Sequence, residues 1–202
     1  MVAYLAKRIS EYTVKEMPIL TGEVLAEDLI KGRKREYRIT EARLLEERGR
    51  SAPIIIGGCA LSYYSREIYF TADIDLAYAD REALDGVLKD MSFEKRGRYW
   101  VNEGLKVVIE APASVLAGED SPVETVEMGE GLQCRIIGIE DLVIDRLNAC
   151  KHWKSEIDCE MVDLLAKKYF NDLDWSYLEE KAREPENDTL SEIQDLKNRT
   201  KP

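Results

Sequence analysis

Three acidic side chains and a pair of glycines carry the chemistry legible in this chain. In Thr71-Ala72-Asp73-Ile74-Asp75 the aspartates alternate with small or apolar residues. On a strand, successive side chains point to opposite faces, so Asp73 and Asp75 share one face while Ile74 and Leu76 take the apolar side. Two carboxylates crowded together repel each other and are costly unless a cation sits between them. Magnesium suits such a pair, being a hard ion that takes carboxylate and phosphate oxygens. Glu110 closes the near-continuously hydrophobic strand Leu105-Lys106-Val107-Val108-Ile109-Glu110, just before Pro112; on a neighbouring strand it would complete a two-metal site. A plainer reading stays open for each acid, a charge where a strand meets water or one that discourages edge pairing.

These side chains need elements to hold them. Ile54-Ile55-Ile56 ahead of Gly57-Gly58 describes a buried strand opening into a tight loop. Paired glycines let the backbone approach a phosphate, and the amides opening the next helix favour an anion. A structural turn accounts for a lone Gly-Gly pair equally well. The pattern then predicts a short helix from Cys59, a strand through Phe70–Tyr78, and a helix capped near Asp80. Strands follow over Phe93–Val101 and Leu105–Pro112, with the hairpin turn at Asn102–Gly104, and a further pair flanks a turn at Gly129–Gly131.

After Gly138 the periodicity becomes helical. Leu142, Val143, Leu147 and Cys150 form one stripe. Ser155 and Asp158 open a second helix, with Ile157, Met161, Leu164 and Leu165 at helical spacing, and Asp174–Glu184 makes a third. A Thr189/Glu192 capping box opens a weakly amphipathic tail that frays. At the other end, residues 1–35 are charged and broken by Pro18 and Gly22, an N-terminal helical brace with its clearest helix at Val24–Ile30. A helix over Tyr37–Arg48 takes Thr40 as its cap and Gly49 as its stop. The expected class is α/β (α+β), a mixed β-sheet flanked by helices. Its divisions are an N-terminal extension at 1–35, an α/β core at 36–138 and a C-terminal helical segment at 139–202.

Composition narrows the field. The 202 residues hold 45% hydrophobic and 34% charged side chains, which excludes wholesale disorder. A net charge of -11 argues against a protein held on nucleic acid by a broad basic face. No apolar run approaches a membrane span and the N-terminus is too short for a secretory signal, so the chain reads as cytoplasmic. Cys59, Cys134, Cys150 and Cys159 show no CxxC spacing, and disulfides are not expected. Cys150, His152 and Cys159 read better as semi-buried helix residues than as metal ligands. Lys95, Arg96 and Arg98 read as a solvated strand face, Tyr63, Tyr64 and Tyr69 as packing, and Lys151 and Lys154 as cations favoured at a helix end.

The stretch GGCALSYYSREIYFTADIDL, residues 57–76, resembles the signature of DNA polymerase β-like nucleotidyltransferases: a Gly-Gly loop, a short helix, then Thr-x-Asp-x-Asp on a strand. It is most similar to the minimal nucleotidyltransferases of prokaryotes, including those related to toxin–antitoxin pairs. There the form GG-x-A-L matches Gly57, Gly58, Ala60 and Leu61, the family arginine falls on Arg66, and Glu140-Asp141-Leu142 ahead of Arg146 is a further match. The likeness covers roughly residues 50–170. It implies a nucleotidyltransferase fold in which Asp73, Asp75 and Glu110 bind Mg2+ (or Mn2+). Gly57, Gly58, Arg66, Thr71 and Arg146 would hold a nucleoside triphosphate such as ATP. Relatives often carry Asp at the third acidic position, where this chain has Glu110.

The implied reaction transfers a nucleoside monophosphate to a hydroxyl on a small molecule, a tRNA or a protein. The alternative is a non-catalytic antitoxin or regulatory protein on the same fold, recognising a partner protein. A metal-dependent phosphohydrolase is a third reading, less suited to the Gly-Gly helix unit.

Overall fold

A computed structural model describes residues 44–66, 68–69, 71, 73–104, 106–116, 121–127 and 133–202. The expected brace at 1–35, the cap at Thr40 and the turn at 129–131 lie outside the described residues. Strand β1 (Ile54–Ile56) runs directly into helix α1 (Gly57–Tyr64). Strand β2 (Asp73–Ala77) returns antiparallel to β1, setting Asp75 opposite Ile56 and Ala77 opposite Ile54. Helix α2 (Arg81–Asp90) follows, and the Asp80 carboxylate accepts from the Ala83 amide at 2.9 Å, the cap expected from sequence. Next come β3 (Glu94–Arg96), β4 (Tyr99–Asn102), β5 (Val107–Ala113), β6 (Val123–Glu127) and β7 (Gln133–Ile137).

The strands form a single sheet in the order β3-β4-β5-β2-β1-β7-β6. It is mixed: β5 is parallel to β2 and β7 to β1, while β1–β2, β3–β4, β4–β5 and β6–β7 are antiparallel. With its flanking helices this is the expected α/β class. Alternation divides the sheet's faces. Ile55, Ile74, Leu76, Ile109 and Ile136 join Leu61, Leu142, Val143 and Leu165 in one buried cluster. The other face carries Asp73, Asp75, Glu110, Ile54, Ile56 and Arg135.

Helices α3 (Ile139–Trp153), α4 (Glu156–Lys168), α5 (Trp175–Lys181) and α6 (Leu190–Thr200) complete the chain. No helix among the described residues is long and apolar enough to cross a membrane.

Several expectations are corrected. The strand drawn over Phe93–Val101 is two strands, β3 and β4, folded back at Gly97, whose φ of +62° suits glycine. The alternating pattern ran through that turn without a break. The disulfide argument also fails, because Cys150 and Cys159 are bonded while Cys59 and Cys134 remain buried thiols. Lys154 takes a left-handed φ of 56° and Ser155 caps α4, so the chain reverses within two residues. That reversal brings the two cysteine Cα atoms to 4.9 Å, a proximity that linear spacing hides.

The Thr189/Glu192 box does not form: Thr189 Oγ1 is buried without a hydrogen-bond partner among the described residues. The tail does not fray. Ile193 and Leu196 are fully buried, and Arg199 Nη2 bonds Asp163 Oδ1 at 2.7 Å, pinning α6 to α4. Ile157 leaves its stripe and stands 54% exposed, while its neighbour Asp158 is the buried residue of the first turn.

Candidate functional site

Register makes the site. Along β2 and β5, Asp73 lies opposite Val108 and Asp75 opposite Glu110. Paired residues of adjacent parallel strands project to the same face about 4.8 Å apart, so the Asp75 and Glu110 side chains rise together. Asp73 stands two residues back, about 7 Å along the strand. Past Glu110 the register shifts: Ala77 pairs with Ala113, so β5 spends three residues where β2 spends two. Such a bulge re-aims side chains locally.

The glycines close the other side of Asp75. The Gly58 amide donates to Asp75 Oδ2 at 3.3 Å. Gly57 has a φ of +58°, and a Cβ built on it would lie 2.4 Å from the same oxygen. Only glycine at this corner lets the strand end reach the carboxylate. Behind it, a Cβ on Gly58 would sit 3.1 Å from the Thr71 side chain. The Thr71 hydroxyl accepts from the Asp73 amide at 3.2 Å, and the Cys59 thiol donates to the Asp73 carbonyl at 3.4 Å. Motif residues 57–59 and 71–75 thus form one interlocked unit.

Burial pushes the Asp75 carboxyl above its ordinary pKa. The Gly58 amide opposes that shift, the Asp73 and Glu110 charges reinforce it, and Arg146 opposes it. Burial is the first cause of that shift, and a cation bound beside the carboxylate would favour its charged form. Arg146 is held by carboxylates of its own, with Nη1 3.0 Å from Asp158 Oδ1 and Nη2 on Asp145. Burial works to lower its pKa, but Asp145 and Asp158 outweigh burial and keep it firmly charged. Tyr69, half-buried and its pKa raised first by desolvation, feels the charges of Arg146, Asp158, Asp75 and Asp73.

The Arg66 charge acts on Lys168 and Tyr169, and Arg146 is the cation that acts on Asp75.

Glu110 is engaged by a residue read from sequence as part of a solvated face. Arg98 Nε lies 3.0 Å from Glu110 Oε1, and the Glu110 side chain is only 14% exposed. The Arg98 guanidinium sits 4.9 Å over the Tyr99 ring, and Tyr99 pairs with Glu110 across β4–β5. Sequence carried no signal for this contact, because it depends on the β3–β4 turn and the register. The other basic residues behave as expected: Lys95 pairs with Asp85 at 3.3 Å, and Arg96 with Glu94 and Glu103 at 2.9 and 2.7 Å. His152 contacts the Asn187 carbonyl at 3.3 Å and Cys150 is oxidised, so neither belongs to a thiolate metal site.

Among the described residues, no three His, Cys, Asp or Glu side chains converge closely enough to cage an ion. Magnesium does not require such a cage, since it is commonly bound by one or two carboxylates with phosphate and water oxygens completing its shell. The Asp73–Asp75 pair, on one face of β2 with Asp75 part-buried beside Glu110, fits that demand. Glu110 stands alongside, tied to Arg98.

A family model described as a nucleotidyltransferase of unknown function, DUF6036, matches residues 38–201. No curated protein matches the chain in sequence. One solved structure, that of the antibiotic-resistance factor ANT(2'')-Ia, aligns over 84% of this chain and 90% of its own, at 12% identity and a TM-score of 0.48.

Proposed function

This chain belongs to the DUF6036 nucleotidyltransferases, and on that premise we propose that it transfers a nucleoside monophosphate from a nucleoside triphosphate to a hydroxyl acceptor at Asp73, Asp75 and Glu110. The observation that carries the reading is the register of β2 on β5, which sets Asp75 beside Glu110 with Asp73 on the same face, against the Gly57–Gly58 corner. Asp73 and Asp75 are the residues that would hold Mg2+ or Mn2+. When bound, the ion supplies charge neutralisation along the triphosphate and on the departing pyrophosphate.

The protein's own groups do the rest. The glycine corner leaves no side chain between the end of β1 and the carboxylates, so phosphate oxygens can approach the backbone. Arg146, kept charged by Asp145 and Asp158 and felt at Asp75, offsets charge developing on the phosphates. Glu110 accepts the proton of the acceptor hydroxyl as its oxygen attacks the α-phosphorus and the bond to pyrophosphate breaks. For this Glu110 must release Arg98, whose side chain is 71% exposed.

The test is labelling by α-phosphate-labelled ATP and CTP with Mg2+ in cell lysate. Wild type should label one acceptor, and Asp73→Asn and Asp75→Asn should abolish it. Equal labelling by the double variant would sink the proposal. The Arg98–Glu110 ion pair favours a second reading, in which the chain binds a partner as an antitoxin or regulatory protein without transferring anything. That reading predicts nucleotide-independent partner capture and no label in any fraction.

A further inference from the structure

Two tethers join α3 to α4 on the same side. Arg146 and Cys150 are four residues apart and share a face of α3, while Asp158 and Cys159 adjoin in the first turn of α4. Arg146 Nη1 donates to Asp158 Oδ1 at 3.0 Å, and one turn further along α3 Cys150 is bonded to Cys159. The disulfide therefore holds the residue next to the one that holds Arg146.

The turn between the helices has little apolar anchorage of its own. Residues 152–157 are exposed apart from the partly buried Ser155, with Trp153 at 78% and Ile157 at 54%. The buried apolar residues of α4 begin only at Met161. The Asp158 and Cys159 amides donate to the Ser155 hydroxyl and carbonyl at 3.4 and 3.1 Å, bonds that stay within the turn. Without the S–S bond this turn can open locally, as poorly anchored helix starts do. Opening returns the Asp158 carboxylate to water and leaves Arg146 on Asp145, so neither charge is stranded in the interior. Arg146 then loses one of the two contacts that fix its guanidinium. The consequence reaches the acids, because Arg146 is the cation acting on Asp75, and the Tyr69 phenol lies among the charges of Arg146, Asp158, Asp75 and Asp73.

We infer that Cys150 and Cys159 form a redox modification site that sets the position of Arg146, so that the disulfide form binds nucleoside triphosphate and the dithiol form binds it more weakly. The inference rests on the transfer reading above and adds its regulation. The reductant is a dithiol, either a protein or a small molecule. One of its thiolates attacks a sulfur of the Cys150–Cys159 bond, which breaks to leave a mixed disulfide and one cysteine thiol. The reductant's second thiolate displaces the other cysteine. Two electrons and two protons have then passed to Cys150 and Cys159, and the reductant has become a disulfide. Both cysteines are partly exposed and within reach of such a reagent, whereas Cys59 and Cys134 are buried thiols and take no part.

The test uses the full chain, with ATP and Mg2+ titrated calorimetrically into oxidised protein and into protein reduced by dithiothreitol. Reduction should weaken ATP binding by about fivefold or more, the lower end of coupling between separate sites, and oxidised glutathione should restore it. Cys150→Ser combined with Cys159→Ser should hold the weaker affinity under both conditions. Asp158→Ala, kept oxidised, should match the reduced wild type and no longer respond to reduction. Amide hydrogen exchange should quicken over residues 155–160 on reduction while β1 and β2 stay protected, which separates local opening from loss of the fold. The inference is overturned if reduction tightens ATP binding, if protection falls throughout the sheet, if the double cysteine variant still responds, or if Asp158→Ala responds as fully as wild type. ATP binding that requires Asp75 yet ignores reduction overturns the switch and leaves the transfer reading standing. No ATP binding in either state removes both.

Discussion

Replacing Gly57 with alanine separates a stability effect from a site effect. The backbone there has a φ of +58°, where an L side chain costs about 1–2 kcal/mol. For a domain of this size that lowers the melting temperature by about 2–8 °C. The new Cβ would also lie 2.4 Å from Asp75 Oδ2, 3.0 Å from Cγ and 3.1 Å from Cβ. Real Cβ contacts do not fall below 3.0 Å, so the carboxylate must retreat by about 0.6 Å or more. Misplacement of a reacting group by about 1 Å can cost 100-fold in rate. The expected outcome is a modestly destabilised, folded protein whose Mn2+ binding, read by electron paramagnetic resonance, and acceptor labelling fall by about 10- to 100-fold. Gly58→Ala is the comparison, because its Cβ meets Thr71 at 3.1 Å and its φ is not left-handed. It should move Asp75 less. A Gly57→Ala protein that melts lower yet binds Mn2+ and labels acceptor like wild type would refute the argument that the corner exists to seat Asp75.

Three further outcomes follow from contacts around the site. Arg98→Ala removes a cation from beside Glu110 and so makes the acid site more negative; Mn2+ titration should show binding tightened by a few-fold at most, since Arg98 is largely exposed, and unchanged affinity would mean that the ion at Asp73 and Asp75 does not feel the Glu110 charge. Arg146→Ala leaves Asp158, 8% exposed, without its partner. Urea denaturation should show a loss of about 3 kcal/mol, the scale for breaking a buried pair, together with weaker ATP binding. The Cys150–Cys159 link closes a loop with a sequence separation of 9, so reduction should lower stability by about 2–3 kcal/mol. Thiol titration of the unreduced, denatured chain should count two thiols, rising to all four cysteines after reduction.

What was legible in sequence was local. Ile54–Ile56 ahead of two glycines, alternation through Asp73–Ala77 and the Asp80 cap all state their geometry within a few residues, and the structure follows them. What escaped was pairing across distance. The Arg98–Glu110 contact requires the turn at Gly97 and the register of β4 on β5. Two cysteines meet only because Lys154 and Ser155 reverse the chain. Thr189 followed by Glu192 satisfies the capping pattern, yet Lys151 takes the glutamate at 3.1 Å, and a competing ion pair is invisible in a window of four residues.

Helix α1 ties these levels together, being fixed at both ends by elements far apart in sequence. At its start the Gly58 amide holds Asp75. At its end the Tyr64 hydroxyl donates to the Ile137 carbonyl at 2.8 Å, while Lys168 Nζ and the Tyr169 hydroxyl donate to the Tyr64 carbonyl at 2.7 and 2.9 Å. Those last donors come from α4 and its C-terminal cap, so the C-terminal helices brace the element that seats the acid. Helical packing confined to one face of the sheet leaves the other open for charge, and that division has an energetic logic. Carboxylates placed beside one another lower stability on their own, and only a deep apolar cluster behind β2, with Ile74 and Leu76 essentially inaccessible, can offset them. It follows that mutations loosening α4 against Tyr64 should disturb ion binding at Asp75 even though no α4 side chain in that contact reaches the acids.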